Sequence, residues 1–410
     1  MIDTRVPVVE VCRGGSGDVA IARTLGRLGI PVHLVAQEGV WTPVTSSRYW
    51  TDKASWDFSR PEEDCLAFLL DFGAKLEAEH GARAVLLTTA DWVAIFIERH
   101  SRLLQERFVF PKPVRPVIHA LVNKWDMHLL ANEHGVPTPA TERPASRADV
   151  DTFVESRGFP VVMKPADPFV GPRRSPKIIH SREQLLDALD REEAVAGSLS
   201  VVLQEYIPGG VDSVWMCNGY FARQAGDTLA FTGKKLRQTS PTGVASLAIC
   251  LPNETVAAQT RRLMDGVGYR GCVGIGWRYD SRDGLYKLLD VNARVSGIFR
   301  LFAGTNEMDV VRACYLDLTD QPIPETTLRP GRKWMLEDDV VPSLAAIRSG
   351  RLSLTDWLRS LRGVRELQWF AADDPRPGLM WFRDGFGIHL RSALGRLGRR
   401  GEGSASRAGG

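Results

Sequence analysis

Several polar residues stand where the surrounding sequence offers little structural reason for them. Lys164 closes the apolar run Phe159 to Lys164 and precedes Pro165, an unusual setting for an amine that needs only water. Lys235 and Arg237 alternate with Lys234 and Leu236 in a segment read as a strand, so the spacing puts both on one face. Such a pair can stabilise an anion in transfer, or can form a basic face in water. Asp290 and Asn292 share a face in the same way, within Asp290-Val291-Asn292-Ala293-Arg294. The turn Gly14 to Gly17 could cradle a pyrophosphate at a helix N-terminus, or serve as a tight strand-to-helix turn. It lacks the full GxGxxG spacing, and Gln37-Glu38 after the second strand offers no clear ribose-binding acid.

Other chemistries find less support. His128 and His134 are six apart on a predicted helix and face different directions, and the other six histidines are scattered, so no histidine metal site is expected. No Gly-x-Ser-x-Gly elbow occurs. The six cysteines never form a CxxC pair and read as reduced core residues. A net charge of +3 from 52 basic and 49 acidic residues gives no basic stripe, which argues against nucleic acid. The most apolar run, Ala84 to Ile97, is broken by Asp91 and too short to span a bilayer. With no basic, apolar leader, the expected compartment is the cytoplasm, with no membrane partner.

The elements that must hold these residues follow from periodicity. Val6 to Cys12, the glycine turn and a helical pattern from Val19 to Leu28 open a doubly wound sheet, with further strands at Pro31 to Val35 and Ala84 to Thr88. At Asn123 the character changes. A helix from Lys124 ends before Gly135, then strands are expected at Phe159 to Lys164 and Ser200 to Tyr206, the latter running into Pro208-Gly209-Gly210. Antiparallel strands are expected around 213–217, 229–236 and 245–251. Asp280-Ser281-Arg282-Asp283-Gly284 predicts a hairpin between Gly274 to Tyr279 and Tyr286 to Val291. An Arg-bearing helix from Asp384 to Arg399 and a Gly/Ser/Arg tail complete the reading.

Taken in order, Asn123-Lys124-Trp125-Asp126, Val161-Val162-Met163-Lys164-Pro165, Gln204 to Gly210, Lys235-Leu236-Arg237-Gln238 and Asp290 to Arg294 resemble the ATP-grasp superfamily, in particular its carboxylate–amine ligase and D-aspartate ligase-like members. The resemblance implies an α/β ATP-grasp fold: a doubly wound pre-ATP-grasp domain over 1–118 and two α+β subdomains, 119–205 and 206–328, clasping ATP. A helical C-terminal appendage over 329–394 and a disordered tail over 395–410 would follow. It further implies that Lys124 and Lys164 hold the ATP phosphates, that Gln204, Glu205 and Ile207 read adenine, and that Asp212 takes the ribose hydroxyls. Lys235 and Arg237 would serve the transferring phosphoryl group, Asp290 and Asn292 would bind Mg²⁺ (or Mn²⁺), and Arg294 would meet a substrate carboxylate or phosphate.

The chain departs from the family in two places. Members usually carry Glu where Asp290 stands and another acid about fourteen residues earlier, a position that hairpin counting assigns to Gly276. The segment Asp167 to Arg174 is also poor in Gly and Ser for a phosphate-covering loop, although Arg173, Arg174 and Lys177 could compensate by charge. The implied activity is an ADP-forming ligase that joins a small-molecule carboxylate to an amine, with a homodimer as an open possibility. A non-catalytic ATP-binding homologue is the alternative, and an NAD-dependent oxidoreductase leaves the Lys164, Gln204 and Asp290 motifs unexplained.

Overall fold

The computed structural model describes residues 2–385 apart from 13, 16, 168, 170–174, 198 and 241–242. Arg173, Arg174, most of the expected helix from Asp384 and the tail from 395 therefore lie outside the described residues. Three sheets carry the chain. The first is parallel, built from β1 (Val8–Cys12), β2 (Val32–Gln37), β3 (Asp52–Trp56), β4 (Ala84–Leu87) and β5 (Phe108–Val109), in the order β3-β2-β1-β4-β5. Helix α1 (Asp18–Gly26) packs on one face and α2 (Glu62–His80) on the other, where Leu69, Phe72 and Leu76 meet Val9, Val11 and Val35. The chain runs from β1 to β2 on one side and reaches β4 on the other. Ligands in open α/β sheets favour such a switch of direction, at the carboxyl ends of the strands.

The second sheet has four strands, β6 (Thr141–Glu142), β7 (Val161–Pro165), β8 (Lys177–Ile179) and β9 (Val201–Glu205), in the order β6-β9-β7-β8. Its apolar face, with Val161, Met163, Val201 and Leu203, is covered by the helices 147–157 and 182–196 through Phe153, Leu185 and Leu189. The other pleat residues of the central strands are Val162, Lys164, Val202 and Gln204, because side chains alternate along a strand.

Seven strands make the third sheet, in the order β14-β13-β10-β11-β12-β15-β16, from β10 (Val214–Phe221), β11 (Leu229–Gln238), β12 (Ala245–Cys250), β13 (Gly271–Asp280), β14 (Leu285–Asn292), β15 (Lys333–Met335) and β16 (Val364–Leu367). One face is buried by Cys217, Ile275, Trp277, Leu288 and Val291 against the helices 118–122, 124–133 and 254–266. Register puts Gly276 directly opposite Asp290, and Gly274 opposite Asn292. The expected hairpin is present, and the counting that assigned the missing acid to Gly276 holds. Beyond 329 the chain carries helices at 340–348 and 354–360, but it also adds β15 and β16 to this sheet. The segment is thus partly a continuation of the sheet rather than a helical appendage alone.

Candidate active site

The Lys164 amine lies between the second and third sheets. It donates to Gln204 Oε1 at 2.8 Å and to the Leu289 carbonyl of β14 at 3.4 Å. Gln204 is buried on the neighbouring strand, and its amide donates to Thr141 Oγ1 at 3.0 Å, which leaves its carbonyl turned to the lysine. Lys124 is the first residue of the helix 124–133, whose end is capped by Asn123 accepting from Trp125 N at 3.0 Å and Asp126 N at 3.2 Å. A cation at a helix N-terminus opposes the helix dipole. Here it is compensated by an ion pair with Asp290, across the cleft on β14.

Electrostatics show how tightly this cluster is assembled. Burial, then the charge of Lys124, pushes Lys164 down to about 8 against the pull of Asp290. Burial also pushes Lys235 down to about 8, again with Asp290 opposing. Burial alone would raise Asp290, but Lys124, Lys164 and Arg294 hold it below the ordinary carboxylate value. Although it sits deep among cations, the Asp290 side chain keeps 44% of its surface open, so a ligand can reach it. Lys124, Lys164, Lys235 and Asp290 therefore form one electrostatic unit, drawn from four different elements.

Arg237 does not join it. A bulge interrupts β11 between Lys235 and Arg237, so Lys235 lies opposite Ala248 and Arg237 opposite Leu247. These are consecutive residues of the partner strand, and the expected shared face is lost. Lys235 donates to the Gly243 carbonyl at 2.8 Å. Arg237 instead grips Asp339, with Nε at 2.9 and 3.0 Å from its two carboxylate oxygens, and donates to Ser360 Oγ at 2.7 Å. Asp339 is buried and also accepts from Ser246 Oγ at 2.7 Å. The expectation that Lys235 and Arg237 share one face is corrected accordingly. The physical cause is one extra residue, Leu236, and a buried carboxylate from beyond residue 329.

At the hinge, Glu205 and its surroundings are fixed by ions. Its carboxylate accepts from Lys287 Nζ at 3.1 Å and from the Ala140 amide at 3.2 Å, and meets Arg282 at 3.3 Å. Lys287 and Arg282 also hold the buried Asp280, at 2.8 and 2.6 Å. The hairpin turn is thereby tied to the end of β9, a role that turn chemistry alone did not suggest. Glu205 N donates to the Ala140 carbonyl at 2.9 Å, so that amide is already committed. Ile207 is buried next to this point, and Asp212 is exposed in the short turn Val211–Ser213. Arg278 reaches the Gly209 carbonyl at 2.5 Å and fixes the intervening loop.

The parallel sheet presents its switch point to the same region. Arg294 donates to Asn292 Oδ1 at 2.9 Å and forms an ion pair with Asp91, at the start of the helix Asp91–Arg99, at 3.0 Å. A Cβ on Gly17 would fall 2.8 Å from Gly297 Cα, so the glycine turn is pressed against the loop that follows Arg294. Close approach of two backbones explains the glycine there without any phosphate. Beneath it lie Glu10 and Asp18, both fully buried; Glu10 accepts from the Thr89 amide at 3.2 Å, and Asp18 from the Thr89 hydroxyl. Burial raises both, Asp18 to about 6, and the nearby Asp18 carboxyl reinforces the rise in Glu10. The motif survey passed over this pair, although Glu10 inside Val8-Val9-Glu10-Val11-Cys12 carries the same buried-charge signal as Lys164.

A divalent cation is compatible with the donors present. Asp290 offers a carboxylate and Asn292 a side-chain carbonyl, and Asn292 Nδ2 lies 3.2 Å from Asp290 Oδ2. Mg²⁺ is commonly held by one or two carboxylates plus substrate phosphates and water. Among the described residues no three acidic, His or Cys side chains gather into an all-protein site, so such an ion would depend on the nucleotide.

This arrangement, a cleft between an antiparallel sheet and a largely antiparallel one with lysines on both sides and a parallel sheet at one end, is the ATP-grasp fold, and comparison with solved structures bears it out. An L-amino acid ligase from Bacillus licheniformis matches with a TM-score of 0.59 at 14% identity, over 81% of this chain and 79% of that one. The biotin carboxylase domain of Hydrogenobacter thermophilus 2-oxoglutarate carboxylase, a domain dimer in complex with MgADP, ADP and bicarbonate, matches with a TM-score of 0.60 at 16% identity, over 79% of this chain and 72% of that one. No family model matches the chain. In sequence it is similar to the D-aspartate ligase of Enterococcus faecium (strain Aus0004), 25% identical over 264 residues. That match takes in 61% of this chain and 62% of the relative, under two thirds of its length.

Proposed function

We propose that the chain is an ATP-dependent, ADP-forming ligase that activates a carboxylate as an acyl phosphate and joins it to an amine, the substrates being amino acids or similar small metabolites. The observation that carries this reading is the convergence of Lys124, Lys164 and Lys235 on Asp290 from both sides of one cleft. A polyphosphate between two sheets must be neutralised, and three lysines with one open carboxylate suit that task. The similarity to D-aspartate ligase points the same way.

On this reading, Lys124 and Lys164 take the phosphates, and Gln204 with the backbone at Glu205 and Ile207 reads adenine. Asp212 meets the ribose. The carboxylate substrate attacks the γ-phosphorus and ADP leaves; the amine then attacks the acyl carbon and phosphate leaves, with the amine proton passing to solvent. No protein nucleophile is needed, so positioning and charge supply the acceleration. Lys235 faces the transferring group, Arg294 orients the carboxylate, and Arg237 acts only through the strand it anchors. Mg²⁺ held by Asp290 and Asn292 would neutralise phosphate charge when bound.

The domain limits at 118, 205 and 328, a cytoplasmic location and a homodimeric assembly belong to the same proposal. Among the described residues no helix is long and apolar enough to cross a membrane. A second reading, ATP binding without turnover, is favoured by Gly276 opposite Asp290, where no side chain can complete a carboxylate pair.

Phosphate release from ATP with Mg²⁺ against pairs of amino acids, beside an ATP-binding titration, separates the two. Turnover that requires both substrates and disappears in Lys164→Ala supports the ligase. Binding without turnover for any pair supports the second reading, and absence of ATP binding overturns both.

A further inference from the structure

A cavity of about 480 Å³ opens on the opposite end of α1 from the glycine turn, lined by α1, the turn Phe299–Phe302 and the segment from β16 to Asp373. None of its lining residues belongs to the Lys124–Lys164–Asp290 cluster. Four arginines line it, Arg27, Arg300, Arg332 and Arg365, against the three acids Glu307, Glu366 and Asp373. All three acids are already engaged, Glu307 by Arg329 at 2.6 Å and by Arg300 at 3.5 Å. Asp373 is held by Arg27 at 2.8 Å, and Glu366 by Arg332 at 2.7 Å and by Arg300 at 3.6 Å.

Positive charge is left over. Arg300, with 5% of its side chain exposed, reaches Asp309 at 2.6 Å, yet its buried Nε has no hydrogen-bond partner among the described residues. Arg365 is exposed and forms no ion pair among the described residues. Just behind, Arg312 donates to Thr24 Oγ1 at 3.0 Å and has no carboxylate partner among the described residues. Burial, with the charge of Arg300 adding to it, lowers Arg312 and Arg332 below the ordinary guanidinium value. The acids compensate Arg27 and Arg300, which they raise, whereas Arg312 and Arg365 form no ion pair among the described residues, and planar guanidinium forks match carboxylate and phosphate oxygens.

We propose that this cavity is a second ligand site, which takes a small dianion bearing phosphate or paired carboxylates, apart from the nucleotide cleft. The volume suits a metabolite rather than a macromolecule. Because the lining comes from the parallel sheet's α1, from the loop after Arg294 and from the C-terminal strands, a bound dianion joins three parts of the molecule. It thereby stabilises the position of the loop that carries Arg294. The site stands independently of the ligase reading.

The test is calorimetric titration of the full chain with inorganic phosphate and, separately, succinate, with ionic strength held constant by chloride. Wild type, Arg365→Glu and Lys164→Ala are compared; Arg365 is exposed and unpaired, so its replacement leaves the packing intact. Saturable binding of either dianion that falls at least tenfold in Arg365→Glu and persists in Lys164→Ala supports the site. Phosphate alone would identify a phosphorylated ligand, and succinate alone a dicarboxylate. Equal binding in wild type and Arg365→Glu, loss in Lys164→Ala instead, or no saturable binding of either dianion overturns it.

Discussion

Restoring the acid that hairpin register assigns to position 276 gives the sharpest test of how the cleft handles a metal. Gly276 adopts no left-handed backbone, and a Cβ added there meets only Asp290, Cβ at 3.8 Å and the carbonyl oxygen at 4.0 Å, which is ordinary contact. Gly276→Asp is therefore sterically admissible. Its carboxylate would stand across from Asp290, itself 44% open to solvent. Without a metal ion, repulsion between like charges directly opposite on paired strands, about 0.2–1 kcal/mol, is opposed by the attraction of Lys124, Lys164 and Lys235, which share Asp290 as counter-charge. With a divalent ion about 4 Å away, one added negative charge contributes about 2 kcal/mol even at the dielectric constant of water, about thirty-fold in affinity.

The variant should therefore melt close to wild type in EDTA and gain more from Mg²⁺ or Mn²⁺, since a ligand that binds only the folded state raises its stability by mass action. Thermal melts across a metal titration, with and without ADP, give both quantities. Gly276→Ala serves as the control for the added methyl group alone. Equal metal dependence in wild type, Gly276→Ala and Gly276→Asp would refute the placement of the metal at Asp290 and Asn292.

Four further outcomes follow from the same geometry. Lys164→Ala should weaken ATP binding by at least tenfold, measured by calorimetry, because a cation buried in the cleft is lost while the fold of β7 stays supported by Val161 and Met163. Lys164 and Lys235, both pushed down to about 8 in the free protein, are charged below that pH and neutral above it. ATP affinity should consequently fall as pH rises from 7 to 9 and binding near pH 8 should take up protons, visible as a dependence of the heat on buffer ionisation. Asp339→Ala should destabilise the fold by about 3–5 kcal/mol in denaturant melts, because it strands the Arg237 charge. Arg294→Lys should raise KM for the carboxylate substrate more than it lowers kcat, in steady-state kinetics, since it loses the fork that Asp91 and Asn292 orient.

What the sequence disclosed and what it hid divide along a physical line. Local chemistry was legible: the Asp-Gly turn set the hairpin, the hairpin fixed the register, and the register put Gly276 opposite Asp290. The lone charge in an apolar strand marked Lys164. Strand β3 was missed because Asp52-Lys53-Ala54-Ser55-Trp56 is a half-exposed edge strand whose apolar face amounts to Ala54 and Trp56. Arg237 was misplaced because a bulge is a property of two strands and their partner, and nothing in Lys235-Leu236-Arg237 encodes it. Its partner, Asp339, lies 102 residues away, as Asp91 lies 203 from Arg294.

Those long-range pairs also say how the cleft is held. Arg237 ties the central strand of the large sheet to Asp339, Arg294 ties its active-site strand to the helix of Asp91, and Lys287 ties the hairpin to the hinge at Glu205. Each joins a strand that bears a candidate ligand residue to a different part of the chain. None of the three partners, Asp339, Asp91 or Lys287, belongs to the motifs that carry the family resemblance. A cleft whose cations repel one another before nucleotide arrives needs such external braces, because Lys124, Lys164 and Lys235 share the single counter-charge of Asp290. Removing a brace should therefore loosen the positions of the lysines without touching them, and the hinge pair offers the cleanest case. In Lys287→Met, Arg282 is the charged partner that Glu205 and the buried Asp280 keep among the described residues, so ATP affinity should fall several-fold even though residue 287 is assigned no phosphate. Unchanged affinity in a folded Lys287→Met protein would show instead that the cleft is set by the sheets alone.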